Sequence, residues 1–148
     1  MVNRKRIFLA TDFSQASRRA FEEAIALCRG TDTELVLAHV YRTPGTLPAE
    51  MSLTPDTLQE IETKLSEAAQ SKMNELLEEV RRAHVRGRSV LLSGPPEEAI
   101  VDAAREIGAD LLILGTHGRT GAARFFLGSV ASRVIAAASC PVLTVRAA

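Results

Sequence analysis

The alternation of short apolar runs with longer amphipathic segments constrains the fold of this chain more than any other feature. Each apolar run is bounded by polar or turn-forming residues, as is typical of strands buried in a parallel sheet. The resulting order, β-α-β-α-β-α-β-α-β, predicts a doubly wound α/β fold. Its five-stranded parallel sheet has right-handed connections and carries helices on both faces. The predicted strands are residues 6–11, 34–40, 88–92, 111–114 and 140–145.

Local signals mark the ends of the predicted helices. Ser14 is a suitable N-cap for the first helix, because its hydroxyl can accept from the N–H of residue 16 or 17. Thr54 and Pro55 predict the start of a second helix of about eight turns. Gly108 ends the third helix. The fourth is predicted over residues 130–138, with Val130, Val134, Ile135 and Ala138 facing inward.

Composition indicates one globular domain over residues 1–148. Hydrophobic residues form 46% of the chain, yet no apolar run reaches the about 20 residues of a membrane-spanning helix. The 18 basic and 18 acidic residues balance, which argues against nucleic-acid binding. Cys28 and Cys140 lack metal-ligand spacing and are expected to pack in the core. With no export signal apparent, we expect a cytoplasmic protein.

A ligand crevice is expected where the strand order reverses. In doubly wound sheets, ligands bind beyond the carboxyl ends of the strands at that point. The order 3-2-1-4-5 places the first and fourth strands side by side, so Asp12 and Gly115 would face one crevice. Asp12 could accept hydrogen bonds from ribose hydroxyls or an adenine amino group, and Val40 could lie against a base.

A glycine-rich segment joins the fourth strand to the fourth helix. Gly115 and Gly118 have no Cβ, which permits a sharp turn and the close approach of a ligand. Gly128 and Ser129 lie at the helix start, where unpaired N–H groups and the helix dipole favour an anion. The segment therefore predicts a phosphate-binding turn. Two arginines within it could neutralise phosphate charge, Arg119 and Arg124.

Taken residue by residue, these positions have simpler interpretations. The glycines could serve only the turn, Asp12 could be a helix-start residue, and Val40 alone would be a core residue. His117 has no identifiable catalytic partner in the sequence, so we interpret it as a surface loop histidine. The P-loop pattern, the dinucleotide fingerprint after the first strand and the nucleophile-elbow pattern are all absent from the sequence.

One spacing resembles that of a known family. Gly118 follows Gly115 after two residues, and Gly128 and Ser129 come nine residues later. This spacing resembles the glycine signature of the ATP-binding branch of the universal stress protein family. The resemblance extends over nearly the whole chain, including the first strand ending in Thr11-Asp12-Phe13-Ser14. It implies a fold like that of the adenine nucleotide α-hydrolases.

The resemblance also implies a ligand and an assembly. ATP would be bound, with Mg²⁺ or Mn²⁺ bridging its phosphates, for which no dedicated protein ligand is identifiable. Members commonly form dimers through the last strand, here Val142–Val145. Positions implied for the adenine and ribose are Thr11, Asp12 and Val40. Those implied for the phosphates are Gly115, Gly118, Arg119, Gly128, Ser129 and Val130.

The function expected from this resemblance is a nucleotide-dependent stress-response or signalling module with an unidentified protein partner. Phosphoryl transfer usually needs a residue that orients the attacking water, and the sequence does not identify one. Slow or negligible turnover is therefore expected. Two alternatives remain open: a slow ATPase or other adenine-nucleotide-hydrolysing enzyme, and a nucleotide-free dimeric scaffold.

Overall fold

The computed structural model of the chain describes residues 5–41, 53–117 and 127–147. Strands and helices alternate through these residues, as the sequence predicts. The strands are β1 (Arg6–Ala10), β2 (Glu34–Tyr41), β3 (Arg86–Ser93), β4 (Leu111–Gly115) and β5 (Val142–Val145). The helices are α1 (Gln15–Cys28), α2 (Pro55–Arg82), α3 (Pro96–Ile107) and α4 (Ser129–Ala137).

All five strands pair in parallel in one sheet of order β3-β2-β1-β4-β5, which confirms the predicted topology. β1 is central, and Phe8 lies opposite Val36 on one side and Leu112 on the other. The order reverses between β1 and β4, so their carboxyl ends are neighbours at the edge where ligands bind in such folds.

Two hydrophobic cores fill the two faces of the sheet, because successive strand residues point to opposite sides. Leu9 belongs to the core under α1 and α2, together with Phe21 and Met73. Phe8 belongs to the core under α3 and α4, together with Val134. Burying a large side chain of this kind stabilises a fold by about 1.5–3 kcal/mol, so both helical layers are held firmly on the sheet.

The predicted helix ends are confirmed at three helices. The Ser14 hydroxyl accepts from the Ser17 N–H, and Thr54 caps α2 by accepting from the Thr57 N–H. Gly108 ends α3 in the left-handed conformation, with φ of 70°. These caps satisfy backbone groups that a helix end leaves unpaired.

The predicted inward face of α4 is wrong at Ile135. Val134 is fully buried, whereas Ile135 is 45% exposed. Ala131 is buried instead, because residues three apart lie on one side of a helix and the next residue is turned by about 100°. The core-facing stripe of this short helix is therefore narrower than its apolar sequence suggests.

The two outermost strands begin two residues away from their predicted starts, whereas the other three differ by one residue at their ends. β5 starts at Val142 rather than at residue 140. Pro141 has no N–H to donate, but its carbonyl accepts from the Leu112 N–H at 3.0 Å. β3 starts at Arg86, two residues earlier than predicted, and pairs with β2 along eight residues. The first residues of β3 are polar or glycine, so the apolar pattern marks only part of the strand. Polar residues are common in strands at a sheet edge.

The two cysteines differ in their surroundings. Cys28 lies in the core under α1 and α2, where burial raises the pKa of its thiol to about 11. Cys140 is partly buried beside the other core. Core packing is thus confirmed for Cys28 and holds in part for Cys140.

Charged side chains close the amino end of the sheet. Glu34 accepts from Arg6 Nε and from Arg88 Nε, each at 3.1 Å. Asp110 Oδ2 accepts from the backbone N–H groups of Lys5, at 2.8 Å, and Arg6, at 2.9 Å. The amino ends of β1, β2 and β3 are joined by these contacts, and each carboxylate has several donors.

Candidate functional site

The turns that follow β1 and β4 lie side by side at the carboxyl end of the sheet. Ala10 pairs with Leu114, so the chain leaves both strands at the same level. The Ser14 hydroxyl in the first turn lies 3.4 Å from the His117 carbonyl oxygen in the second. The two segments in which the sequence predicts ligand-binding residues are therefore brought together by the central strands.

Asp12 is partly buried in the β1–α1 turn and is surrounded by donors. Its Oδ1 accepts from the Ser14 N–H at 3.0 Å and from the Ser17 hydroxyl at 2.6 Å. Burial works to raise the pKa of Asp12, but the hydrogen bonds from Ser14 and Ser17 outweigh it, and the pKa is lowered overall. Asp12 is thus an ionised acceptor at neutral pH.

The turn that carries Asp12 has an unusual backbone. Phe13 has φ of 64°, a left-handed conformation that costs a residue with a side chain about 1–2 kcal/mol. Its N–H donates to the Thr11 hydroxyl at 3.1 Å, and its ring centroid lies 4.4 Å from that of His39. His39 Nδ1 donates to the Thr11 carbonyl at 2.7 Å, and Lys72 Nζ lies 5.1 Å from the Phe13 ring. These contacts hold the strained turn in place.

Gly115 is the last residue of β4 and packs against the first turn of α1. A Cβ at this position would lie 2.7 Å from Ala16 Cβ and 2.9 Å from the Ser17 nitrogen. The missing side chain therefore serves helix–strand packing. The sequence pattern indicates a glycine that allows the approach of a ligand, and the structure supplies a separate reason for it.

Gly128 is packed in a similar way at the start of α4. Its N–H donates to the Thr116 carbonyl at 2.7 Å, and a Cβ would lie 2.9 Å from that same oxygen. The Gly128 N–H is thus bonded within the protein. This contact fixes the start of α4 against the turn that follows β4.

The N-terminus of α4 is open. Glycine has no side chain with which to cap it, and no side-chain cap is present. Within the described residues, the N–H groups of Ser129, Val130 and Ala131 have no protein acceptor. The first turn also lacks an acidic residue, whereas α3 has Glu97 and Glu98 there. Unpaired N–H groups together with the helix dipole favour an anion at this end.

Val40 and His117 lie at the rim of the same edge. Val40 is partly buried and packs against the core under α3 and α4. His117 is also partly buried, its Nδ1 lies 3.0 Å from the Thr116 hydroxyl, and its Nε2 is buried without a partner among the described residues. His117 is thus a partly exposed residue in a turn, and its Nε2 is the part of the ring that is buried.

Three comparisons with known proteins agree with this geometry. The chain matches the universal stress protein family over residues 3–146. It belongs to this family. Universal stress protein MJ0531 of Methanocaldococcus jannaschii is 36% identical over 144 residues, which cover 96% of this chain and 82% of that protein. The solved structure of MJ0577, from the same organism, superposes with a TM-score of 0.86 at 30% identity and covers 98% of this chain and 97% of that one.

A more distant solved member of this family carries a ligand. It is the Arabidopsis thaliana protein At3g01520 with AMP bound, which superposes with a TM-score of 0.69 at 17% identity. The alignment covers 96% of this chain and 91% of that one. At this identity the likeness establishes a shared universal stress protein fold.

Some predicted site residues lie outside the described part of the chain, namely Gly118, Arg119 and Arg124. The other predicted residues lie at the carboxyl end of the sheet. One neighbour was missed in the sequence: Ser17, whose hydroxyl bonds to Asp12. Its signal is the spacing Ser14-x-x-Ser17 at the start of a helix, which resembles a capping box with serine in place of the usual acid or amide.

The described residues contain neither a metal-binding cluster nor a membrane-spanning helix. Among residues 5–41, 53–117 and 127–147, no group of three or more His, Cys, Asp or Glu side chains could hold a metal ion. No helix among them is long and apolar enough to cross a membrane.

Proposed function

We propose that this universal stress protein binds ATP at the carboxyl end of β1 and β4 and acts as a nucleotide-dependent stress-response module in the cytoplasm. The observation that carries the proposal is the open N-terminus of α4, beside a turn that holds an ionised carboxylate. A phosphate group fits the first feature, and a ribose hydroxyl, which donates to an anionic acceptor, fits the second.

Each part of the nucleotide has a proposed partner in this site. The phosphates would accept from the N–H groups of Ser129 and Val130, which have no acceptor within the described residues. The ribose would donate to Asp12, and the adenine would lie against Val40. The proposal extends to Gly118 and Arg119 on the phosphates, as the family resemblance implies.

The AMP complex of the Arabidopsis protein supports an adenine nucleotide. AMP and ATP share adenosine and the first phosphate, so a crevice that holds one presents the same groups to the other. Since the described residues provide no metal cluster, Mg²⁺ or Mn²⁺ would be held mainly by the phosphate oxygens, as is common for Mg²⁺ with nucleotides.

Slow or negligible hydrolysis is part of the proposal. Fast phosphoryl transfer needs positioned charge and a residue that orients water. Among the described residues near α4, His117 is the only titratable side chain with a buried nitrogen that lacks a partner. Because His117 lies near the start of α4, it is the candidate catalytic residue if the alternative function, a slow ATPase, is correct. A His117→Ala variant would test this alternative.

The proposal includes a homodimer formed through β5. This strand pairs with β4 on one side, and no strand among the described residues pairs with its other side. Leu143 in β5 is 36% exposed and Ile135 in α4 is 45% exposed. An apolar edge strand needs a partner or protection, which a second copy of the chain would supply.

A proline at Ser129 tests the phosphate site. Ser129 is the first residue of α4, where proline is tolerated. Gly128 before it has ψ of 157°, which suits a residue that precedes proline. Ser129→Pro removes one N–H, whereas the matched control Ser129→Ala removes the hydroxyl and retains the N–H. Ser129→Pro should weaken ATP binding about tenfold in calorimetry, and Ser129→Ala should have the smaller effect.

The outcomes separate the candidate functions. Equal ATP affinity of Ser129→Pro and the parent would contradict the phosphate site. Nucleotide released from denatured, purified protein identifies the natural ligand: ATP supports the proposed module, and ADP or AMP favours hydrolysis once breakdown during purification is excluded. No released nucleotide and no binding of ATP would favour the dimeric scaffold.

A further inference from the structure

The Ser17 hydroxyl lies under Asp12 and bonds to it twice. Ser17 is the third residue of α1 and is 4% exposed. Its hydroxyl donates to Asp12 Oδ1 at 2.6 Å and accepts from the Asp12 N–H at 3.1 Å. The short donated bond has the length of a charge-assisted hydrogen bond. One side chain therefore holds both the carboxylate and the backbone of Asp12.

The hydrogen-bonding capacity of this hydroxyl is used within the turn. A serine hydroxyl has one proton and two lone pairs. The proton goes to Asp12 Oδ1 and one lone pair accepts from the Asp12 N–H. Ser14 Oγ lies 3.3 Å away as a second donor and shares its single proton between Ser17 and the His117 carbonyl. A ligand could bond to Ser17 only by displacing these partners, so Ser17 acts through Asp12.

Ser17 is itself fixed by packing. The first turn of α1 lies directly against Gly115, so closely that a Cβ there would be 2.9 Å from the Ser17 nitrogen. The Ser17 N–H also donates to the capping hydroxyl of Ser14 at 3.2 Å. The hydroxyl therefore projects from a rigid helix start, which holds Asp12 to a defined position relative to β4.

We infer that Ser17 is a positioning residue that orients the Asp12 carboxylate toward the ribose and so sets the preference of the crevice for a nucleotide with ribose hydroxyls. This inference rests on the proposed function. Without the Ser17 hydroxyl, the Asp12 N–H loses this acceptor and Oδ1 loses its shortest hydrogen bond among the described contacts. The Ser14 N–H still donates to Oδ1, but the carboxylate is held less firmly in its rotamer.

The test compares ATP with 2′,3′-dideoxy-ATP, which lacks both ribose hydroxyls and keeps the base and phosphates. Calorimetry on the full chain measures both affinities, and their ratio reports the ribose contacts alone. The parent should bind ATP at least about tenfold more tightly, as expected for a hydrogen bond to a charged group. Ser17→Ala should reduce this ratio to about twofold, because the carboxylate is no longer aligned.

Two variants serve as controls. Ser17→Thr retains the hydroxyl and should keep the parent ratio. Thr31→Val removes a hydroxyl that also makes two bonds, donating to the Cys28 carbonyl at 2.7 Å and accepting from the Thr33 N–H at 3.1 Å. Thr31 precedes β2 at the opposite end of the sheet, so its loss should leave the ratio unchanged.

A double variant identifies the route of the effect. If Ser17 acts through Asp12, adding Ser17→Ala to Asp12→Ala should leave the ratio at the value of Asp12→Ala alone. A further fall in the double variant would mean a direct contact between Ser17 and the ligand and would overturn the positioning role.

Each remaining outcome also decides the inference. A Ser17→Ala protein that binds both nucleotides more weakly but at the parent ratio has lost structure alone, which overturns the inference. A parent that binds ATP and its dideoxy analogue equally overturns it as well and leaves the proposed ATP site standing. A parent that binds neither nucleotide overturns both proposals.

Discussion

At the amino end of the sheet Glu34 is shared by Arg6 and Arg88, whereas at the carboxyl end Asp12 is held by the N–H and hydroxyl groups of its own turn. The pKa of each carboxyl group is lowered, although burial acts against the shift in both. The Glu34 carboxylate is paired with two protein cations. Among the described contacts, Asp12 accepts from two neutral donors, the Ser14 N–H and the Ser17 hydroxyl.

The helix ends at the carboxyl edge extend this contrast. α1 and α2 are capped by their own Ser14 and Thr54, and α3 has acidic residues in its first turn. Among these four helices, all within the described residues, α4 alone has neither a side-chain cap nor an acid there. The amino end of the sheet is thus closed by ion pairs within the chain. At the carboxyl end, the start of α4 can accommodate an anion.

The largest effect should come from adding a methyl group at Gly115. Gly115→Ala places a Cβ within 2.9 Å of three α1 atoms and should lower the free energy of unfolding by about 3 kcal/mol. Gly30→Ala is the matched control. Gly30 has φ of 75° and no atom within 4 Å of its Cβ position, so only the backbone cost of about 1–2 kcal/mol applies. Equal losses in urea unfolding would contradict the packing role of Gly115.

A smaller loss of stability is expected at the closed end of the sheet. Glu34→Gln removes the charge that Arg6 and Arg88 share and should cost about 1 kcal/mol, since both arginine side chains are about half exposed and screened by solvent. ATP affinity should not change. A change in ATP affinity without a change in fold would contradict this expectation and show that the two ends of the sheet are coupled.

Removing the cap of α1 should have a similar or slightly smaller effect. Ser14→Ala takes away the acceptor of the Ser17 N–H and should cost about 0.5–1 kcal/mol, whereas Ser14→Gly should cost only a few tenths. Chemical denaturation of both variants measures this difference. If Ser14→Ala were as stable as the parent, the Ser14 cap would not stabilise α1, and the difference between the starts of α1 and α4 would not affect the free energy of unfolding.

The smallest expected effect is on the pH dependence of stability. Because the pKa of Glu34 is lowered in the folded state, its contribution is fully present above the ordinary glutamate value of about 4.3. It is lost as the pH falls through the lower folded value. The difference in unfolding free energy between the parent and Glu34→Gln should therefore narrow below about pH 4.3. A gap that stays constant down to pH 3 would contradict this assignment.

Much of the fold was predictable because its signals are local. Ser14 and Thr54 cap helices through contacts within three residues, and Gly108 ends α3 through its own left-handed backbone. The burial of Ile135 was predicted wrongly because burial on a short helix depends on what the helix packs against. In the sequence, an apolar residue beside the core-facing side of α4 cannot be distinguished from one on that side.

The candidate site was predictable in position and less so in its contacts. Asp12 and the start of α4 follow strands whose order places them together. The bond from Ser17 to Asp12 and the packing of Gly115 on α1 are different, because each depends on how the first turn of α1 sits against its neighbours.

Sequence signals were sufficient to predict the alternation of strands and helices, three helix ends and, through the glycine spacing, membership of the universal stress protein family. Only the packing of the fold shows that Gly115 and Gly128 lie against protein backbone and that Ser17 holds Asp12. It also shows that, among the described residues, the first N–H groups of α4 have no protein acceptor, while the other end of the sheet is closed by ion pairs. The two kinds of feature differ in the distance along the chain over which they act. Periodicity and capping act over a few residues, whereas these contacts join atoms that only the packing of helices on the sheet brings together.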